Sequence, residues 1–451
     1  MVYIVKPGIR LIKTNENVWV SFEGRVDTLS QVGSVILLLS DGTNTPEEVA
    51  EKVSILYDEK YEAVLNDVLS FYKTQSKYFI KLNKKLNKPL YIVRDPNEFK
   101  FFPKKQKVKE FYGIWSIGII LSEKCPMRCK YCYAFKDNYD TGLEFVEFDL
   151  LKKFISEATE LGALNLLIGG GDPLRYERLP EVIEFAIQNG IKKIDISTKP
   201  SKIYSIEYFN NLFRAGLREI QFSIDAVTPA VLNKIVGHPK YYDYLIPSLY
   251  NAAHVGLQIV VKTVLIKDNL NEVLPLVDFL YNFGIKKLNI NTASPLGMAT
   301  FDMIPSKEEE KELKNAINKY RKSHPDIIIN FSGSIFNENN PDIVRCSAFK
   351  TSCFLYPDGS IEGCDFIGAY RKEFNLSLGN LKEKTLKEIW ANSEKSYIFR
   401  STPDDPICAS CQLKDVCLGG CKAFSLEIFG SINRSFNYCV PVLNAIKGRK
   451  E

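Results

Sequence analysis

The stretch Ile117-Gly118-Ile119-Ile120-Leu121-Ser122-Glu123-Lys124-Cys125-Pro126-Met127-Arg128-Cys129-Lys130-Tyr131-Cys132-Tyr133 decides how the rest of the chain is read. Its first part is a short apolar run that reads as a buried strand, and three cysteines follow in the pattern Cys-x-x-x-Cys-x-x-Cys. An iron–sulfur cube has four irons and normally takes four cysteine thiolates, so three closely spaced ones leave one iron open. Structural zinc sites favour paired Cys-x-x-Cys motifs, which makes a lone triplet a poor zinc site.

Working outward, strand-like runs recur at Leu164 to Ile168, Lys193 to Ser197, Glu219 to Ile224, Gln258 to Val264 and Lys287 to Asn291, each followed by a helical stretch. With Ile117 to Leu121 that makes six strand–helix repeats. They predict parallel strands joined by right-handed crossovers, hence an α/β barrel or part of one, over residues 113–305. In such barrels chemistry sits where strands end, which is where the triplet falls.

The other eight of the eleven cysteines all lie at or beyond Cys346. An odd total, with no basic-then-apolar signal segment at the N-terminus, fits reduced, metal-bound thiolates better than a disulfide framework. No run approaches the roughly 20 apolar residues of a membrane span. The chain reads as cytoplasmic, with no membrane partner. Net charge is +5 on 59 basic and 54 acidic side chains, so no basic field points to nucleic acid.

Residues 1–85 begin with extended runs at Tyr3 to Val5 and Val18 to Phe22, followed by helices. Thr45-Pro46-Glu47-Glu48 supplies an N-cap, a proline at the first helical position and the returning glutamate of a capping box. A helix from Tyr61 to about Tyr72 places Val64, Val68 and Phe71 on one face, and Tyr78 to Ile80 is extended again. The pattern suggests a small winged helix. Its 11 basic and 11 acidic residues lack the phosphate-neutralising surplus that DNA binding needs. Residues 86–112, with Pro89, Pro96, Pro103 and many lysines, read as a linker, and 306–345 as a bridge.

The triplet is the signature of the radical S-adenosylmethionine (SAM) superfamily, and the resemblance extends through the barrel. It implies that Cys125, Cys129 and Cys132 hold a [4Fe-4S] cluster whose open iron binds SAM, and that one electron then releases a 5′-deoxyadenosyl radical. Gly169-Gly170-Gly171-Asp172-Pro173 resembles the family's Gly-Gly-Glu-Pro, implying that Gly170, Gly171 and Asp172 meet the SAM amino group; a tight turn is the plainer reading of the glycines. Ser223-Ile224-Asp225 resembles Ser-Ile-Asp-Gly, implying that Ser223 and Asp225 lie near the ribose and carboxylate, and Tyr131 completes the implied cofactor set. Ala226 stands for the usual glycine. Val236 stands where an arginine is common, with Lys234 and His238 as nearby substitutes. Lys199 reads as a substrate contact or a surface lysine. Asn269 and Asn291 match polar positions, although a helix cap explains Asn269 equally well.

Cys346, Cys353, Cys364, Cys408, Cys411, Cys417, Cys421 and Cys439 resemble the SPASM domain of radical SAM maturases, placed at 346–451. The resemblance implies two auxiliary [4Fe-4S] clusters, one on Cys346, Cys353, Cys364 and Cys421 and one on Cys408, Cys411, Cys417 and Cys439. From ligand type alone two zinc knots remain an alternative. Asp365, after Cys364, matches a carboxylate of the anaerobic sulfatase-maturing enzymes and is the candidate catalytic base; a hydrogen-bonding role is the alternative. Residues 1–85, through Asp41-Gly42-Thr43 and Tyr57-Asp58, resemble the PqqD-like element that adds a leader peptide to its sheet as a strand.

Together these imply an α/β protein: a partial (β/α)6 radical SAM barrel, an N-terminal winged-helix (PqqD-like) domain and a C-terminal SPASM domain. The expected cofactors are SAM and three [4Fe-4S] clusters. The expected partners are a precursor peptide with a leader and an external electron donor of flavodoxin or ferredoxin type. The expected activity is hydrogen abstraction from a ribosomally made peptide, giving a thioether or carbon–carbon cross-link. The rival readings are maturation of a folded protein and a non-catalytic electron carrier.

Overall fold

The computed structural model describes residues 1–6, 9–13, 18–22, 25–87, 89, 113–134, 144–332, 346–392, 394–404, 406–409 and 418–434. Two compact units result, Met1–Gly113 and Ile114–Glu451. Of the stretch read as a linker, 88 and 90–112 lie outside the described residues. Among the described residues no helix is long and apolar enough to cross a membrane.

In the first unit β1 (Val2–Val5) pairs antiparallel with β5 (Phe79–Leu82), while β2 (Arg10–Lys13), β3 (Val18–Phe22) and β4 (Arg25–Leu29) form a three-stranded antiparallel sheet. Three helices follow: α1 (Gln31–Leu39), α2 (Pro46–Tyr57) and α3 (Tyr61–Thr74). The Thr45 capping box forms, with the Thr45 amide on Glu48 (2.7 Å) and the Glu48 amide on Thr45 Oγ1 (3.3 Å). Val64, Val68 and Tyr72 are the buried face of α3, packed with Val18, Val20, Val35, Val49 and Val53. The Asp41-Gly42-Thr43 turn closes because Asp41 Oδ1 accepts from the Thr43 amide (2.8 Å) and hydroxyl (2.7 Å) while Gly42 takes φ +86°.

The second unit is built on one open ten-stranded sheet. Seven parallel strands run in chain order: β6 (Ser116–Ile120), β7 (Asn165–Gly169), β8 (Lys193–Thr198), β9 (Glu219–Ser223), β10 (Gln258–Leu265), β11 (Lys287–Thr292) and β12 (Ile328–Ser332). The six expected strands are there, and β12 adds a seventh, parallel to β11. The stretch read as a bridge therefore supplies a helix, Lys307–Ser323, and a strand to the sheet. Residues 333–345 lie outside the described residues.

The other side of β6 is taken by the cysteine-rich segment. There β13 (Ser352–Leu355) pairs in parallel with β6, Cys353 opposite Ile117, and β14 (Ser360–Glu362) and β15 (Gly379–Asn380) continue antiparallel. Gly118 lets this pair close: a Cβ there would stand 2.1 Å from the Phe354 ring.

Candidate functional site

Four consecutive strands of the sheet deliver the polar residues to one end. The cysteine loop after β6 is held by backbone bonds to the end of the helix Pro229–Val236: the Arg128 amide donates to Val236 O (2.9 Å) and the Lys130 amide to Ile235 O (3.0 Å). Gly237, in the left-handed region at φ +66°, fits beneath, since a Cβ there would lie 2.5 Å from Arg128 O. Ser122 fixes the start of the loop, its hydroxyl bonded to both the amide and the carbonyl of Lys124 (3.0 Å each).

The glycines after β7 are required by close approach. Gly170 (φ +85°) and Gly171 (φ +46°) would place a Cβ 2.8 Å from Ser122 O and 2.3 Å from Lys124 O respectively. Their backbone thus lies directly against the start of the cysteine loop.

Cys129 is buried, with Cys125 and Cys132 partly so. Burial first, then the other thiols, pushes Cys125 up to about 12 and Cys129 above its ordinary value, with Lys199 opposing in both cases. A thiol that burial keeps protonated becomes a thiolate when iron replaces its proton. Among the described residues no three His, Cys, Asp or Glu side chains close on a single metal ion. The fit to a cluster rests on the donor set: three thiols, one buried and two partly so, that feel one another's charge on one short loop, with cationic Lys199 beside them.

Asp172, expected to meet the SAM amino group, is engaged by protein donors. Its buried carboxylate accepts from Leu174 N (3.1 Å) and Thr198 Oγ1 (2.7 Å) at Oδ1, and from Ser201 N (2.9 Å), Ser201 Oγ (2.7 Å) and Tyr204 Oη (2.7 Å) at Oδ2. Five protein donors use up its roughly four lone-pair sites. Asp172 locks the loop after β7 to the loop after β8, and a SAM ammonium would have to displace one of these donors to reach it.

Asp225 is likewise engaged. Oδ1 accepts from the Val264 amide (2.9 Å), and Oδ2 from Lys199 Nζ (3.1 Å) and the Tyr131 phenol. Lys199 also donates to Tyr131 Oη (2.9 Å). The Lys199 side chain is 14% exposed, so it is no surface lysine. Burial works against its charge, but Asp225 and the neighbouring Cys129 thiol outweigh burial and raise its pKa. Asn269 does what a cap does, accepting from Ile266 N (2.8 Å), and also donates to Asp225 O (2.8 Å). Lys234 is exposed, and His238 Nδ1 accepts from the Lys240 amide (3.3 Å). Val236 is fully buried.

Ser223, Lys262, Asn289 and Asn330 stand in register across β9 to β12, with Asn330 Nδ2 donating to Asn289 Oδ1 (2.9 Å). Asn291 lies one pleat further along the same face of β11. Lys262 has its pKa lowered by burial, while Asp365 and Asp225 oppose and Lys199 adds to the lowering. Its ammonium thus lies in the field of both the Lys199–Asp225 pair and Asp365. Sequence reading passed over it, because a lysine in an otherwise apolar strand carries no motif.

In the cysteine-rich segment, burial first, then Asp365, Cys346 and Cys421, raises the Cys364 thiol well above its ordinary value, and burial and Cys346 push Cys421 up to about 11. The Cys346, Cys364 and Cys421 thiols thus lie within one another's electrostatic reach. Cys353 is buried on β13 and feels Arg400. Cys408 is buried in a short helix, Pro406–Ala409, while Cys411, Cys417 and Cys439 lie outside the described residues. Asp365 accepts from Tyr133 Oη (2.6 Å) and from the Phe366 amide (3.1 Å). The Tyr133 ring packs edge-on against Phe366, 4.6 Å between centroids.

A cysteine triplet at the end of the first strand of a parallel partial barrel, with a cysteine-rich segment joined to that strand's far side, defines an iron–sulfur protein built for SAM. The chain matches the radical SAM superfamily over residues 119–280 and an iron–sulfur cluster-binding domain, SPASM, over residues 346–412. It carries a radical SAM domain and a SPASM domain. Radical SAM domains use SAM with a [4Fe-4S] cluster, and SPASM domains bind auxiliary iron–sulfur clusters.

Among curated relatives it is similar to the PqqA peptide cyclase of Rhizobium meliloti (strain 1021), 22% identical over 325 residues, covering 71% of this chain and 85% of that protein. The PqqA peptide cyclase of Xanthomonas oryzae pv. oryzae (strain MAFF 311018) is 24% identical over 334 residues, covering 70% and 85%. Among solved structures, Streptococcus suis SuiB bound to precursor peptide SuiA superposes with TM-score 0.65 at 16% identity, covering 96% of this chain and 99% of that one. Native anSMEcpe with bound AdoMet superposes with TM-score 0.56 at 15% identity, covering 74% and 95%.

Proposed function

We propose that this chain is a radical SAM peptide maturase that abstracts hydrogen from a ribosomally made precursor peptide and forms a thioether or carbon–carbon cross-link in it. The observation that carries the reading is the meeting of two cysteine segments more than 200 residues apart: Tyr133, beside the triplet, donates to Asp365, beside Cys364. Likeness to peptide cyclases and to a fold solved with a precursor peptide supports the same class.

SAM bound at the triplet supplies a 5′-deoxyadenosyl radical as the hydrogen-abstracting agent; the protein's task is to hold, orient and exclude water. Cys125, Cys129 and Cys132 would ligate its cluster. Gly170 and Gly171 bring backbone against the start of the cysteine loop, and Ser223 offers a hydroxyl on the same polar row as Lys262. The row Ser223–Lys262–Asn289–Asn330 would line the substrate's path, and Asp365 would receive the substrate proton. Cys346, Cys353, Cys364 and Cys421, and Cys408, Cys411, Cys417 and Cys439, would hold two auxiliary clusters that take the substrate electron.

Residues 1–85 would grip the leader. Among the described residues β2 and β4 are the outer strands of the three-stranded sheet, and a leader strand would add to such an edge. An external donor of flavodoxin or ferredoxin type would reduce the triplet cluster. A cavity of ≈ 460 Å³ beside Cys125, lined by Lys124, Arg128, Arg175 and Lys202 with Glu144, offers a cationic surface to an acidic donor.

Co-expression with the precursor peptide followed by mass spectrometry tests the reading. Loss of two hydrogens per cross-link is expected. An unchanged peptide mass, with 5′-deoxyadenosine still formed, would overturn it.

A further inference from the structure

SAM binds an open iron through its amino and carboxylate groups, so its carboxylate is carried into the buried space beside the triplet. A buried carboxylate needs a donor or a cation beside it. Most other cations near the triplet are more exposed than Lys199: Arg128 lies at the surface, and the side chains of Lys124, Lys130 and Arg175 are 39%, 32% and 30% exposed against 14% for Lys199. The Arg128 guanidinium donates to Cys125 O (2.6 Å) and Met127 O (3.0 Å), Lys130 pairs with Asp268 (2.6 Å), and Lys124 and Arg175 both pair with Glu144. Lys234 is exposed and Val236 is apolar.

Lys199, by contrast, combines burial with a place directly beside the triplet loop. It follows β8, its ammonium lies in the field of Cys129 and Cys132, and it is held from two sides by Asp225 Oδ2 and Tyr131 Oη. An ammonium has three N–H donors, and these two bonds leave one. We propose that Lys199 is the cationic partner of the SAM carboxylate, and that Asp172, Asp225 and Tyr131 are positioning residues that hold it there. Asp225 and Tyr131 orient the ammonium. Asp172 fixes the Thr198–Ser201 loop that carries the lysine, through Thr198 at one end and Ser201 at the other. The two conspicuous aspartates thus act on SAM through the protein.

The inference concerns SAM alone and can be tested with no peptide present. Affinities of SAM and of decarboxylated SAM are measured by titrating each into anaerobically reconstituted, dithionite-reduced protein and following the electron paramagnetic resonance spectrum of the triplet cluster. In the wild type, SAM binds more tightly than decarboxylated SAM, which loses both an iron ligand and the Lys199 contact. In Lys199→Met the SAM affinity falls roughly 10- to 100-fold, decarboxylated SAM is affected far less, and the gap between them narrows accordingly. Lys199→Arg restores most of the gap.

Equal weakening of both ligands by Lys199→Met, or an unchanged gap, would overturn the assignment. If Lys199→Met loses its cluster iron, Lys199→Gln takes its place with Lys199→Arg as the charge-preserving control; a gap unchanged in Lys199→Gln is again a refutation. Failure of the peptide reading would leave these affinities untouched, so the two outcomes are distinguishable.

Discussion

Tyr133 Oη donates to Asp365 Oδ2 at 2.6 Å, joining the residue after the SAM-cluster triplet to the residue after Cys364, 232 positions along the chain. Burial and the carboxylate together raise the Tyr133 pKa well above its ordinary value, so the phenol remains a donor across the working range. Asp365→Asn is expected to cut peptide product by about 10²- to 10⁴-fold, the span of a lost general base, while iron content and 5′-deoxyadenosine formation persist. Tyr133→Phe should reduce product less. Full peptide turnover in Asp365→Asn would remove it from the chemistry.

Gly171 predicts a selective loss. A methyl group there would meet the Lys124 carbonyl at 2.3 Å, and φ +46° already strains an L side chain, so Gly171→Ala should displace the cysteine loop. Iron should fall from about twelve to about eight per chain, one four-iron cube being lost. Gly190→Ala, at φ +100° with open space around it, is the control and should keep all its iron. Equal iron in the two variants would contradict the packing argument.

Lys262 gives a pH prediction. Burial lowers its pKa below 10.5 in the folded chain, so between that lowered value and 10.5 the unfolded chain binds more protons. Stability therefore rises with pH across this window, and at pH 7 the charged form is a net cost. Lys262→Met is expected to raise the thermal midpoint at pH 7, with an advantage that shrinks as the pH climbs toward 10. An advantage that grows with pH would show the opposite shift.

Removing residues 1–85 should abolish leader affinity while leaving SAM cleavage at the barrel intact. The N-terminal residues form a compact unit of their own with a separate apolar core around Val35, Val49 and Val68. Binding of a fluorescent leader peptide and release of 5′-deoxyadenosine are the paired readouts. Unchanged peptide affinity in the truncated protein would end the leader-binding proposal.

How much of this was legible beforehand follows from the range of each signal. The triplet, the six strands and the Thr45 capping box are local patterns, readable because spacing and periodicity act over a few residues. The pairing of β13 with β6 is not local: nothing in Ser352–Leu355 names a partner more than 200 residues upstream. Strand β12 is five residues after a charged helix and resembles loop. Lys199 was hardest, since a lysine after a strand reads the same whether it ends in water or against Asp225. The Asp172 substitution was visible, but its consequence was not, because four of the five donors on its carboxylate come from the end of the next strand and the loop after it.

Cys125, Cys129 and Cys132 would hold a four-iron cluster with three thiolates and leave its fourth iron open to SAM. Anaerobic iron and sulfide analysis with paramagnetic resonance, comparing wild type with a triple Cys125→Ala, Cys129→Ala, Cys132→Ala variant, tests it most directly. The account predicts about twelve irons per chain in the wild type and about eight in the variant, with a SAM-induced change in the reduced spectrum seen only in the wild type. A wild-type spectrum unmoved by SAM, or a variant that keeps both its iron and its response, would contradict it.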